Sequence, residues 1–213
     1  MARKKHIKIK QVRELPNVFS LKDENLLDNI SEFFRNKKKY TLELGCGHGD
    51  YSIELAALCP KRNFIGIDIK ASRIYNGAMR AIDLKMKNTA FILTRAERIG
   101  EIFPKDSIEE IYIPFPDPHV KRKSEPRRLV SKKFLEIYKS LLVQNGKVHL
   151  KTDSEMIFNY TLKTVDNFCC KILISVEDLY AEENKYFRNQ ITTKYEEHYL
   201  KEGRTIKYIC FGF

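Results

Sequence analysis

The chain has 213 residues with 43% apolar content, enough to bury a full core, and its length predicts one domain with a terminal extension. Thirty-nine Lys plus Arg against 28 Asp plus Glu give a net charge of +11 and a pI near 9.3, which points to a polyanionic partner, nucleic acid or an anionic membrane, without choosing between them. No stretch reaches the roughly 18 to 20 apolar residues of a membrane span, no apolar signal core follows Met1, and the cysteines at 46, 59, 169, 170 and 210 lack disulfide-framework or zinc-ligand spacing, so a cytoplasmic protein with reduced thiols and no bound metal is expected.

The first 13 residues carry six Lys or Arg and no acid, a polar, weakly periodic run that predicts a flexible basic arm. Leu26, Leu27, Ile30, Phe33 and Phe34 fall at helical spacing, and Lys37-Lys38-Lys39 marks a break after them. An arm with a leading helix is thus expected over 1–36, and a single domain over 37–213. Short β-rich runs follow at about 40–44, 63–67, 89–94, 108–113 and 146–151, alternating with helical patterns at about 51–59, 71–86, 97–102 and 131–143. That alternation is the mark of a parallel sheet wrapped by helices. Beyond Thr152 come a helical pattern to about Phe168, a strand over 171–176, a polar and aromatic loop, a short helix near 195–200 and a last strand over 206–213. The final two strands, with no crossover helix expected to return the chain, are expected to be antiparallel. The fold class is therefore α/β, doubly wound, with a mostly parallel seven-stranded sheet and an antiparallel C-terminal strand.

The first strand of the alternating region runs directly into Gly45-Cys46-Gly47-His48-Gly49-Asp50. Glycines at such a strand-to-helix turn remove the Cβ atoms that would block a nucleotide-like ligand. A dinucleotide fingerprint would need its third glycine at position 50, where the chain has Asp50. Asp68 ends the next strand, 19 residues after Gly49, where a carboxylate can accept from two ribose hydroxyls. Glu43 precedes the turn; a negative charge there is unfavourable beside a pyrophosphate and suits a ligand with a positive end, such as S-adenosylmethionine.

Asp117 lies in Pro114-Phe115-Pro116-Asp117-Pro118 at the end of an apolar run. The flanking prolines leave it little backbone freedom. Lys121, Arg122, Lys123, Arg127 and Arg128 crowd the residues that follow. The stretch reads either as a held carboxylate beside a polyanion site or as a proline-rich turn before a solvated basic loop. Thr152-Asp153-Ser154-Glu155 and Thr193-Lys194-Tyr195-Glu196 both have the form of a capping box, with Gly203 as a helix stop after the second. Spacing leaves capping and substrate contact equally open for Asp153, Thr193 and Glu196.

With Glu43-Leu44-Gly45-Cys46-Gly47-His48-Gly49, Asp68, Phe115-Pro116-Asp117-Pro118, Lys121 and Arg127-Arg128-Leu129 in this order, the chain from about residue 40 onward resembles the bacterial tRNA (guanine-N7)-methyltransferase family, a class I, Rossmann-like group. Lys151-Thr152-Asp153 and the Thr193 motif extend the likeness. The resemblance implies methyl transfer from S-adenosylmethionine to N7 of the variable-loop guanine of tRNA, leaving S-adenosylhomocysteine. It implies Asp117 as the catalytic or guanine-orienting residue, lying also at the cofactor. It places Glu43, Gly45, Gly47, Asp68, Arg95 and Ala96 at the methyl donor, and Lys121, Asp153, Thr193 and Glu196 at the substrate. Lys123, Arg127 and Arg128 are expected to meet RNA phosphates.

Two departures stand out. The family's usual Trp-Pro after the Pro-Asp-Pro triplet is His119-Val120 here, and its usual acidic residue before Ala96 is Arg95. Two rival readings use the same features. A nicotinamide-dependent dehydrogenase would suit the sheet and Asp68, but none of the eleven tyrosines has lysine four positions later, which removes the usual short-chain Tyr-x-x-x-Lys pair. A non-catalytic RNA-binding protein on the same scaffold would use the basic loop equally well. Monomer and homodimer are both open.

Overall fold

In the computed structural model, which describes residues 2–36, 38–181 and 191–213, helix α1 (Ala2–Gln11) leads into strand β1 (Val18–Ser20) and helix α2 (Leu26–Phe34). The alternating region follows as β2 (Tyr40–Leu44), α3 (Asp50–Leu58), β3 (Asn63–Asp68), α4 (Ala71–Asp83), β4 (Thr89–Leu93) and β5 (Ile108–Pro114). Helix α5 (Lys132–Leu141), β6 (Leu142–Thr152), α6 (Glu155–Asn167), β7 (Lys171–Val176), α7 (Lys194–Lys201) and β8 (Lys207–Gly212) complete the described chain. Short 3-10 turns occupy Ala96–Glu101 and Arg122–Arg127. No helix among the described residues is long and apolar enough to cross a membrane.

The strands form one sheet in the order β1-β4-β3-β2-β5-β6-β8-β7, parallel from β1 through β6, with β8 antiparallel between β6 and β7. Every residue of β2 and of β3 is buried, as parallel strands covered on both faces require. One face packs Leu42, Ile111 and Leu150 against Ile30 of α2, Phe134 of α5 and Phe158 of α6. The other packs Ile53 of α3 and Ile74 and Ala78 of α4 around Phe91. Strand order reverses at β2, whose neighbours are β3 and β5, so the carboxyl edge there opens into a crevice.

The structure corrects two expectations. The sheet has eight strands, because Val18–Ser20 pairs in parallel with Phe91–Leu93, and Phe91 N donates to Asn17 O at 2.8 Å. Three residues are too few to show an alternating pattern, so this strand is set by its partner. The basic arm is a helix lying on α4: Lys8 Nζ donates to Asn76 Oδ1, Tyr75 OH donates to Gln11 Oε1, and Val12 just after the helix is fully buried. That anchoring comes from contacts more than sixty positions away in the chain.

Candidate active site

The turn after β2 is built from three glycines at left-handed φ, Gly45 at +70°, Gly47 at +56° and Gly49 at +69°. They serve two purposes. A Cβ on Gly45 or Gly47 would meet no atom nearer than 4.0 Å, so their bare backbone faces open space, whereas a Cβ on Gly49 would sit 2.3 Å from the Phe91 ring. Gly49 lets α3 lie against the sheet.

Glu43 is 4% exposed, and its carboxylate accepts from Ser52 N at 2.7 Å and Ser52 Oγ at 2.6 Å in the first turn of α3. Burial pushes its pKa from 4.5 up to about 8; the Ser52 hydrogen bonds oppose this, and the negative charges of Asp50 and Asp68 reinforce it. Asp68, at the end of β3, accepts from Gly47 N at 2.9 Å and Lys70 N at 2.7 Å, which fixes the carboxylate and the glycine turn together.

These groups line one side of a cavity of about 610 Å³ at the carboxyl edge of the sheet. Arg95 and Ala96 line it beyond β4, Asp117 and Arg127 beyond β5, and Thr193 at the start of α7. Lys121 and Lys123 lie outside the lining and are exposed. Asp153, Glu196 and Arg128 are absent from the lining. Cys46, His48, Tyr195 and Tyr199 add to the lining, four residues to which the motifs attached no separate role.

Asp117 is exposed, and the backbone on either side of it is strained: Phe115 has φ +50° and His119 has φ +44°. Non-glycine residues there cost about 1–3 kcal/mol each unless their surroundings hold them. The hold is visible. Phe115 N donates to Lys151 O at 2.7 Å, and the Phe115 ring packs on Tyr199 with centroids 5.6 Å apart. Arg128 Nε donates to Pro118 O and Arg128 Nη2 to His119 O, both at 3.2 Å, while its guanidinium lies 4.3 Å over the Tyr160 ring. Arg128 is only 6% exposed, so the expectation of an RNA-facing cation is corrected: it clamps the Asp117 loop from within. A cation next to Arg127 in sequence gives no local sign of pointing the other way.

Thr193 and Glu196 form the expected capping box of α7. Glu196 is fully buried; its Oε1 lies 2.6 Å from Lys151 Nζ and accepts from Tyr180 OH at 2.9 Å, while its Oε2 accepts from Thr193 N at 3.3 Å. Lys151 Nζ also donates to Ile191 O at 3.1 Å; burial lowers the pKa of this lysine, and Glu196 pulls the other way. The box expected at Thr152 is corrected. Ser154 is the N-cap of α6, accepting from Ile157 N, and Thr152 Oγ1 accepts from Ser154 N. Asp153 pairs with Arg204 at 2.8 Å. A lysine closing the strand segment Val148-His149-Leu150 was the available signal for the Lys151 hub.

Comparison with known proteins matches residues 37–209 to a family described as "Putative methyltransferase". The chain is 41% identical to the tRNA (guanine-N(7)-)-methyltransferase of Christiangramia forsetii, covering 96% of this chain and 95% of that protein. It is 37% identical to the protein of the same name from Cytophaga hutchinsonii, covering 100% and 99%. Among solved structures it resembles the 16S rRNA methyltransferase KamB, with a TM-score of 0.62 and 14% identity over 86% of this chain and 92% of that one, a likeness of fold alone.

Proposed function

Because the chain belongs to the tRNA (guanine-N7)-methyltransferase family, we propose that it transfers a methyl group from S-adenosylmethionine to N7 of a guanine in tRNA, in the variable loop, within the cytoplasm. The observation that carries this reading is one cavity at the reversal of strand order with Glu43, Asp68 and the bare Gly45–Gly47 backbone on one side and Asp117 on the other.

S-adenosylmethionine supplies an electrophilic methyl on a sulfonium and carries a positively charged amino end. The donor set fits it. Glu43 is a buried carboxylate that has no cationic hydrogen-bond partner among the described residues and would gain one from that amino end. Asp68 has lone pairs left for ribose hydroxyls after its two backbone bonds, and Gly45 and Gly47 allow close backbone approach. Arg95 and Ala96, which line the cavity beyond β4, would serve the adenine end, Ala96 through its backbone.

Guanine N7 already carries a free lone pair, so no residue has to remove a proton from it. The protein's work is positioning, worth on the order of 7–11 kcal/mol in good intramolecular cases. Asp117 accepts from the N1 and N2 hydrogens of guanine and offsets the positive charge that develops on the ring. Thr193 supports the base from the α7 wall. Asp153 and Glu196 act through the Arg204 and Lys151 pairs that hold that wall. Lys121, Lys123 and Arg127 hold phosphates.

The test is to react purified protein with labelled S-adenosylmethionine and unmodified tRNA, then map 7-methylguanosine by borohydride reduction and aniline cleavage. Cleavage at the variable-loop guanine is expected. Methylation at another atom, or no transfer, overturns the reading.

A further inference from the structure

A second, shallower cavity of about 240 Å³ opens beside the first and shares Ile69, Thr94 and Arg95 with it. Its remaining charged lining is Arg13, Lys22 and Arg98, and no carboxylate among the described residues lines it. Arg98 is already engaged, donating to both carboxylate oxygens of Glu101 at 2.7 to 3.1 Å. Arg13, Lys22 and Arg95 are exposed, and their side chains make no hydrogen bond or ion pair among the described residues. The neighbouring acid Asp23 is occupied, its Oδ2 accepting from Ser20 N at 2.7 Å and its Oδ1 from Ser20 Oγ at 3.0 Å.

Pairing of β1 with β4 builds this cluster. Arg13 lies in the 3-10 turn after α1, Lys22 two residues past β1, and Arg95 two residues past β4. These cations sit at the β4 end of the sheet's carboxyl edge, while Lys121, Lys123 and Arg127 follow β5. Three strand spacings separate β4 from β5, roughly 14 Å. A few nucleotides around a base held in the main cavity can bridge that span. Two of the three groups are guanidinium forks, which match phosphate oxygens in pairs.

We propose that Arg13, Lys22 and Arg95 form a second phosphate-binding site that holds the RNA backbone on the β4 side of the cavity mouth, across from Lys121, Lys123 and Arg127. The proposal rests on the tRNA reading above. It also gives Arg95 a charge-based task besides lining the main cavity.

The test uses the full-length Arg13→Ala/Lys22→Ala protein, since neither residue lines the main cavity. Its tRNA affinity is measured across a salt series against wild type. The salt slope is expected to become shallower by roughly 1.4–1.8, and affinity at low salt to fall about tenfold or more. S-adenosylmethionine affinity and the transfer rate at saturating tRNA are expected to stay at wild-type values, which also verifies folding. Arg13→Glu/Lys22→Glu is expected to deepen the loss. An unchanged tRNA slope in a wild-type background that methylates tRNA overturns the site alone. So does a loss confined to anionic vesicles or an acidic protein. Wild-type protein that neither binds nor methylates tRNA removes the functional reading first.

Discussion

The loop that carries Asp117 is held from within the protein: Arg128 donates to the carbonyls of Pro118 and His119, and Lys151 O accepts from Phe115 N. Asp117→Ala is expected to lower kcat/KM for tRNA by 10²-fold or more, on the order of losing one preorganised electrostatic partner. Cofactor affinity by calorimetry should change only a few-fold; equal loss of both would make Asp117 a cofactor residue. Arg128→Ala is expected to lower kcat while leaving the salt slope of tRNA binding unchanged. Lys121→Ala should do the reverse, reducing that slope by about one.

Glu43 carries a pH signature. Burial raises its pKa from 4.5 to about 8, so its contribution to stability is fully present below about 4.5 and is lost as pH rises through about 8. A cationic ligand end favours the ionised form. Cofactor affinity is therefore expected to rise with pH up to about 8, by at most tenfold per unit, with proton release on binding below that value. Calorimetry in buffers of different ionisation enthalpy measures the proton, and Glu43→Gln should abolish the dependence.

Among the elements, α7 is docked by a buried charge pair. Glu196 and Lys151 are 0% and 3% exposed, and their contact joins the N-terminus of α7 to the end of β6. Removing one partner leaves the other charged and buried, so Glu196→Gln is expected to destabilise the fold by about 3–5 kcal/mol, measured by denaturant unfolding. A change under 1 kcal/mol would mean that the pair is solvated. The α7 box was readable from Thr193 and Glu196, because capping joins residues three apart. The box at Thr152 was misread because Ser154, two residues on, offers a competing cap for the same helix.

Over the whole molecule, strand order places the glycine turn, the end of β3 and the Asp117 loop around one crevice, and β1 adds a cationic flank to it. The alternating strands and helices, the glycine turn, Asp68 and the proline-bound Asp117 were all legible in the chain. Each depends on hydrophobic period, backbone freedom or charge within a few neighbouring residues, which linear order preserves. The docking of α1 on α4, the inward turn of Arg128 and the pairing of Lys151 with Glu196 were not legible. Lys8 meets Asn76, and Lys151 meets Glu196, across tens of intervening residues. A charged side chain has the same composition whether it faces solvent or a buried partner. Which of the two it does is set by long-range packing and the desolvation it imposes, and so is known only once the sheet has closed.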